Sequence, residues 1–372
     1  MKHRLLPLDW LRGIVMILMV TDHASSVYNA GHLFTDSTFF YNDRMALPAG
    51  QFLNRWISHL CAPSFLFLAG TALALSIVRK QQHGFSSWQI DRDLLIRGSL
   101  IVAVDLLFIN LFWMPGRLLL QVMAVIGGAL LLMIPLRRLP VWLTVMLAAA
   151  VLLGSELFLP DSLLIAEGNL SVLLRYLLSI GSTDAIFVLY PLLPWWGMLG
   201  LGWGFGHYLT LAEKEPTEGA ESVLLISGFI SLILYLIVRG VNGYGNMALL
   251  RMDNSWEQWL HTSKYPPSIS FVALELGLMA LLLAGLFRWQ RLRGDRVKGH
   301  HPLLVFGQTP LLFYILHIFL LETSGRLLGL YEGGGLGLSW LATAVVLIIL
   351  YPICHWYRAY KLAHRHSWLR FL

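Results

Sequence analysis

The chain has 372 residues, of which 57% are hydrophobic and only 13% charged, with a formal net charge of +6 and a mean hydropathy of +0.66. A soluble domain carries roughly twice that charged share, so the soluble globular classes are excluded and a polytopic helical membrane protein is expected. The basic excess does not argue for nucleic acid, because the Lys and Arg residues gather in short loops between apolar runs, as in the cytoplasmic loops of membrane proteins.

In chain order, apolar segments long enough to cross the hydrocarbon core, ~20 residues each, run over 9–28, 54–78, 94–113, 118–136, 140–158, 186–210, 222–241, 268–287, 302–321 and 338–357. The prediction is therefore an all-α polytopic bundle of about ten transmembrane helices in a single domain, 1–372. An eleventh helix follows if the short apolar segment 169–181 crosses rather than lying re-entrant or at the interface. The first run lacks a small-residue cleavage site and carries Arg12, Asp22 and His23, so it reads as a retained span rather than a signal peptide. Basic residues concentrate in one set of loops: Lys2 and Arg4, Arg79 to Arg92, Arg137 and Arg138, Arg288 to Lys298, and the stretch after Arg358. Both termini are accordingly expected on the cytoplasmic side.

Ionisable groups inside spans are costly and are functional suspects by default. Asp9 and Arg12 open the first span. Asp22 and His23 close it, ~20 Å further along a helix at about 1.5 Å per residue. Arg12 shares a helix face with Asp9. It either pairs with that acid or holds a phosphate, for which its planar fork is suited. Arg79, Arg97 and Arg288 would extend such a basic mouth, or are plain loop residues. His23 is a candidate general base whose tautomer a carboxylate can fix. The alternative is an interfacial histidine bonded to backbone. Asp22 points ~100° away from it, so the two can meet different neighbours. His59 precedes Pro63 at the same end of the second span. It is a second acid/base candidate, or a cap for backbone freed by the proline. His317, in the ninth span, completes three histidines at similar depth.

No His-x-x-x-His spacing is present and no metal is expected. Cys61 and Cys354 form no disulfide framework. The run Gly200 to Gly206 lies within a span, where small residues permit close helix packing. The polar loop 240–267 carries Trp256, Trp259, His261, Lys264 and Tyr265. It suits a sugar-like ligand, or is an interfacial aromatic belt.

The opening Leu8-Asp9-Trp10-Leu11-Arg12-Gly13, followed by Met19-Val20-Thr21-Asp22-His23, resembles the bacterial relatives of heparan-alpha-glucosaminide N-acetyltransferase. Supporting stretches are Arg55 to Pro63, Leu193-Pro194-Trp195-Trp196-Gly197, Ser263 to Ser268 and Gly307 to His317. The combination is specific. The first motif alone is shared with the wider transmembrane acyltransferases, including those that modify surface polysaccharides.

The resemblance implies a multi-pass acyltransferase of a bacterial inner membrane. Acetyl-CoA, or another acyl-CoA, would enter from the cytoplasm, and a sugar amine or hydroxyl on a saccharide or glycolipid would accept the acyl group at the far side. By similarity His23 matches the first-span histidine and Asp22 its companion carboxylate. The family's active histidine in the loop after the first span matches either His32 or His59. Arg12 and Asp9, with Arg79, Arg97 and Arg288, would form the donor site. His317, Tyr314, Lys264, Tyr265 and Trp196 would contact the acceptor. Membrane lipids are expected partners, nucleic acid is not, and a homodimer is left open. Two other classes use the same residue types: a proton-coupled transporter or flippase, with intramembrane acids and histidines as a proton relay, and a haem or quinone protein with paired histidine ligands.

Overall fold

The computed structural model describes residues 5–42, 45–158, 177–211, 216–293 and 300–364. Most of segment 169–181 and the basic residues Lys2, Arg4, Arg44, Arg175, Lys214, Arg296, Lys298, Arg365 and Arg370 lie outside them. Helix α1 (Leu6–Tyr28) carries Pro7 in its first turn, where a missing N–H leaves no bond unmade. Next come α2 (Ala49–Ile57), a 3-10 turn and α3 (Cys61–Gln82), then α4 (Ser87–Val104), a π turn (Asp105–Ile109) and α5 (Asn110–Trp113). Helices α6 (Val122–Leu136), α7 (Val141–Gly154), α8 (Leu192–Leu211), α9 (Pro216–Val241), α10 (Trp256–Leu260) and α11 (Ile269–Arg293) follow. The last three are α12 (Pro302–Gln308), α13 (Pro310–Leu327) and α14 (Leu336–Ala363).

Helix α1 is the centre of the assembly. It packs against α3, α11, α12, α13 and α14, and Trp10, Leu11, Val15, Val20 and Ala24 are fully buried. Protein rather than lipid therefore surrounds its charged residues, the condition under which such groups are tolerated. The rim is the reverse: Ile226, Phe229, Ile233 and Ile237 of α9 and Trp340, Ile348 and Trp356 of α14 are exposed apolar side chains.

Each of the ten expected segments contains a helix. Among the described residues, five helical stretches are long and apolar enough to cross a membrane: Ala49–Gln82, Ser87–Trp113, Gly219–Val241, Ile269–Arg293 and Leu336–Ala363. A sixth is added if α12 and α13, bent by 96°, form one broken span. The bend falls at Thr309, whose φ of −128° and ψ of 42° leave the helix, because Pro310 disfavours the α conformation in the residue before it. The expected continuous span 302–321 is corrected accordingly.

Segments 118–136 and 186–210 also begin differently from expectation. Each opens with a short strand, β1 (Leu118–Leu120) and β3 (Ile186–Val188), paired in parallel with Leu119 opposite Phe187. Strand β2 (Gly181–Ser182) adds antiparallel to β3. A short apolar run does not distinguish a buried strand from a helix end by periodicity, so this sheet is absent from the all-α expectation.

Glycines set the closest helix contacts. A Cβ on Gly202 would sit 2.0 Å from the Phe67 carbonyl oxygen of α3, as the glycine-rich run implied. Where α4 crosses α6, a Cβ on Gly127 would lie 2.6 Å from the Gly98 carbonyl oxygen. Gly127→Val is therefore expected to force these helices apart, costing about 1–3 kcal/mol and lowering the melting temperature in detergent. An unchanged melting temperature would show that the α4–α6 contact is looser than described.

Candidate active site

Two cavities lie end to end in the bundle. The first, about 410 Å³, is lined by Asp22, His23, His32, Arg55, Gln121, Tyr190, Lys264 and Tyr265, among others. The second, about 290 Å³, is lined by Asp9, Arg12, Arg97, Gln308 and Lys361, among others. Met19, Phe65, Val122 and Tyr314 belong to both walls, so the cavities meet at that ring of side chains.

Arg55 is the ionic hub of the His23 cavity. Its Nη1 lies 2.6 Å from Asp22 Oδ2, and its Nε and Nη2 lie 2.7 and 2.5 Å from Asp36 Oδ2. The planar fork thus joins α1, α2 and the loop after α1, a geometry a lysine cannot reproduce. Burial alone would raise the Asp36 carboxyl, but Arg55 and His59 beside it hold it well below the usual carboxylate range. The Asp36 carbonyl accepts the amides of Lys264 at 2.8 Å and Tyr265 at 3.2 Å, which ties the loop after α1 to the one before α11. Tyr265 in turn meets Tyr190, hydroxyl to hydroxyl, at 3.2 Å. Lys264 is buried, with its ammonium 5.2 Å from the Tyr265 ring centroid, and it makes no ion pair among the described residues.

His23 does not pair with Asp22. Its Nδ1 lies 2.7 Å from Nε2 of His317 on α13, and the Trp113 ring meets it edge-on at 5.1 Å. His32 also faces this cavity, with Nδ1 3.1 Å from Ser25 Oγ. Burial pushes its imidazole below the usual histidine range. Gln121 is held from behind by Asp105, which accepts Gln121 Nε2 and the Ala124 amide, both at 2.8 Å. Asp105 thereby caps the first turn of α6 from a neighbouring helix. At the junction of the cavities the Tyr314 hydroxyl is buried and has no hydrogen-bond partner among the described residues.

In the second cavity Arg12 Nη1 bonds Asp9 Oδ1 and the Gly307 carbonyl, each at 3.0 Å. Gln308 Nε2 donates to Asp9 Oδ2 at 2.8 Å, and Arg358 donates to the Gln308 side-chain oxygen. The close approach of α1 and α12 makes this possible: a Cβ on Gly307 would lie 2.0 Å from the Asp9 carbonyl oxygen. Arg97 is exposed at this cavity and makes no ion pair among the described residues.

The structure therefore gathers His23, Asp22, Lys264, Tyr265 and Tyr314 around one cavity, and Arg12, Asp9 and Arg97 around the other. It separates the remaining candidates from both. His59 is 1% exposed, packed on Phe271 with Nε2 3.2 Å from Asp36 Oδ1. It lines neither of the two cavities. His317 stands behind His23 rather than in the wall. Trp196 is buried with Nε1 donating to Met133 Sδ at 3.4 Å. Arg79 is exposed on the surface away from both cavities. Arg288 is a surface residue 3.8 Å from Glu221. From the 240–267 loop, Lys264 and Tyr265 line the first cavity. Fully buried Arg239 holds that loop by bonding the carbonyls of Leu249, Gln258, Trp259 and His261.

Sequence reasoning missed Arg55, Asp36 and Asp105 as site residues. Arg55 carried one signal, an arginine near apolar runs, which calls for a buried acid but does not say which acid meets it.

These features define a helical membrane protein with a histidine and carboxylate site on one of two adjoining cavities. Residues 4–239 match the family described as heparan-alpha-glucosaminide N-acetyltransferase, catalytic, and the chain belongs to that family. Transferase activity follows from that membership, and the resemblance to this family read from the motifs is borne out. The match includes Arg12, Asp22, His23 and Arg55. Lys264, Tyr265, Tyr314 and His317 lie beyond it. No curated protein matches the chain.

Proposed function

We propose that the protein transfers an acyl group, acetyl by preference, from cytoplasmic acyl-CoA to an amine or hydroxyl of a saccharide or glycolipid held in the His23 cavity. The observation that carries this is the shared wall of Met19, Phe65, Val122 and Tyr314 between a cavity with cationic groups and one with a histidine. Arg12 and Arg97 would hold the CoA phosphates, and the thioester would lie at the shared wall. The acceptor's lone pair attacks the thioester carbonyl carbon while His23 takes the acceptor's proton. The Tyr314 hydroxyl donates to the carbonyl oxygen as negative charge develops there. The carbon–sulfur bond then breaks, and the leaving thiolate takes up the proton.

In this reading the chain crosses a bacterial inner membrane ten times with both termini cytoplasmic. The concentration of Lys and Arg in one set of loops supports it. The adjacency of the two cavities would also serve a proton-coupled transporter or flippase, which has no use for CoA.

Calorimetry separates the two readings. Acetyl-CoA is expected to bind the detergent-purified protein saturably. Arg97→Ala, which removes a guanidinium without breaking an ion pair, should weaken binding by about 10-fold or more, the worth of one charge-assisted hydrogen bond. Equal affinity for variant and wild type would move the phosphate site away from Arg97. No binding by folded wild type, to acetyl-CoA or to longer acyl-CoAs, would overturn the acyltransferase reading in favour of transport.

A further inference from the structure

We infer that His317 is a positioning residue that fixes the tautomer of His23 and so turns an unprotonated Nε2 towards the cavity. A hydrogen-bond chain with a single consistent direction carries this. His317 Nδ1 lies 3.0 Å from the carbonyl oxygen of Phe313, one turn earlier on α13. A carbonyl only accepts, so His317 Nδ1 carries a proton. His317 is fully buried and makes no ion pair with a carboxylate among the described residues. An imidazolium there would be an uncompensated buried charge, so the ring is neutral and its Nε2 is a lone-pair acceptor. The partner of that nitrogen is His23 Nδ1 at 2.7 Å, and His23 Nδ1 must therefore be the donor.

The ring geometry agrees. The two imidazole planes differ by 9° and their centroids are 5.0 Å apart. With a nitrogen–nitrogen distance of 2.7 Å, the rings meet edge to edge in nearly one plane, the arrangement in which an N–H points along its acceptor's lone pair.

With Nδ1 protonated, neutral His23 carries its lone pair on Nε2. That nitrogen makes no hydrogen bond among the described residues, while His23 lines the cavity. The orienting role often played by a carboxylate falls here to a second histidine, itself fixed by a backbone carbonyl. Asp22, beside His23 in sequence, is engaged by Arg55 instead. The consequence for proton abstraction rests on the transferase reading above. The tautomer itself does not.

The test is nitrogen magnetic resonance on full-length protein labelled with 15N-histidine in lipid bilayers, with the His23 signals assigned by their loss in His23→Asn. Wild type should show a protonated Nδ1 and an unprotonated Nε2 on His23. His317→Phe removes the acceptor and should mix the two tautomers. It should also lower kcat by up to the about 10²–10⁴-fold that a placed general base contributes, with KM little changed. His317→Gln can donate to the Phe313 carbonyl and accept from His23, and should restore both the tautomer and most of kcat. A His23 protonated on Nε2 in wild type, or an unchanged tautomer in folded His317→Phe, would overturn the inference. If no acyl transfer is found with any acceptor, the proposed function fails while the tautomer result still decides the role of His317.

Discussion

His23→Ala is expected to lower acyl-transfer turnover by about 10²–10⁴-fold, the range a positioned general base contributes, with the fold retained. His23 lines the cavity that adjoins the shared wall and engages no charged residue directly. Its loss leaves the buried His317 Nε2 without a partner, at about 1–3 kcal/mol, and opens space in a cavity that already exists. Steady-state turnover and the melting temperature measured on the same preparation check both halves of the statement. A fall in turnover of less than about tenfold would remove His23 as the base and move the role to His32, the other histidine lining the same cavity.

Arg55→Ala should act in the opposite manner, through the fold. Arg55 is 5% exposed and its guanidinium bonds Asp22 and Asp36 together. Removing one partner of a buried ion pair leaves uncompensated charge and costs about 3–5 kcal/mol. Here two carboxylates are left behind, so the variant should express poorly or melt well below wild type. Arg55→Lys should recover little, because an ammonium is a point charge and cannot span both acids.

The pH dependence of this pair of proteins follows from Asp36. Its carboxyl is held well below the usual range in the folded wild type by Arg55 and His59 against the effect of burial. Such a group contributes stability that is fully present above its unfolded value, ~3.9, and is lost as pH falls through the lower folded value. Wild type should therefore keep this contribution at pH 5 and lose it only in stronger acid. In Arg55→Ala, protonation of the stranded acids relieves the buried charge, so the gap in melting temperature should narrow as pH falls. A gap that stays constant from pH 8 to pH 4 would mean that Arg55 contributes packing rather than charge.

How much of this was legible in the chain differs by residue. Asp9, Arg12, Asp22 and His23 stand out because they are ionisable groups bracketing one apolar run, and membrane solvation makes such groups costly wherever they lack a purpose. Their allocation to opposite ends of α1 follows from helix rise alone. His59 and Trp196 looked equally suitable, since residue type and approximate depth do not say which way a side chain faces. Their burial against Phe271 and Met133 depends on where α11 and α6 pack. Arg55 was hidden for the converse reason: its partners lie 33 and 19 residues earlier, on separate elements, and spacing along the chain carries no trace of their meeting.

By itself the sequence determined the helical membrane class, the family, and the depth of the charged groups along α1. These rest on hydropathy, local periodicity and motif identity, which are properties of contiguous residues. Only the tertiary structure decided that His23 faces His317 across 294 residues of chain, that Asp22 pairs with Arg55, and that the two cavities meet at Met19, Phe65, Val122 and Tyr314. Those are consequences of helix packing. Glycines at crossings such as Gly307 against Asp9 set how closely the backbones approach, and a buried polar group bonds whichever partner that packing brings within reach.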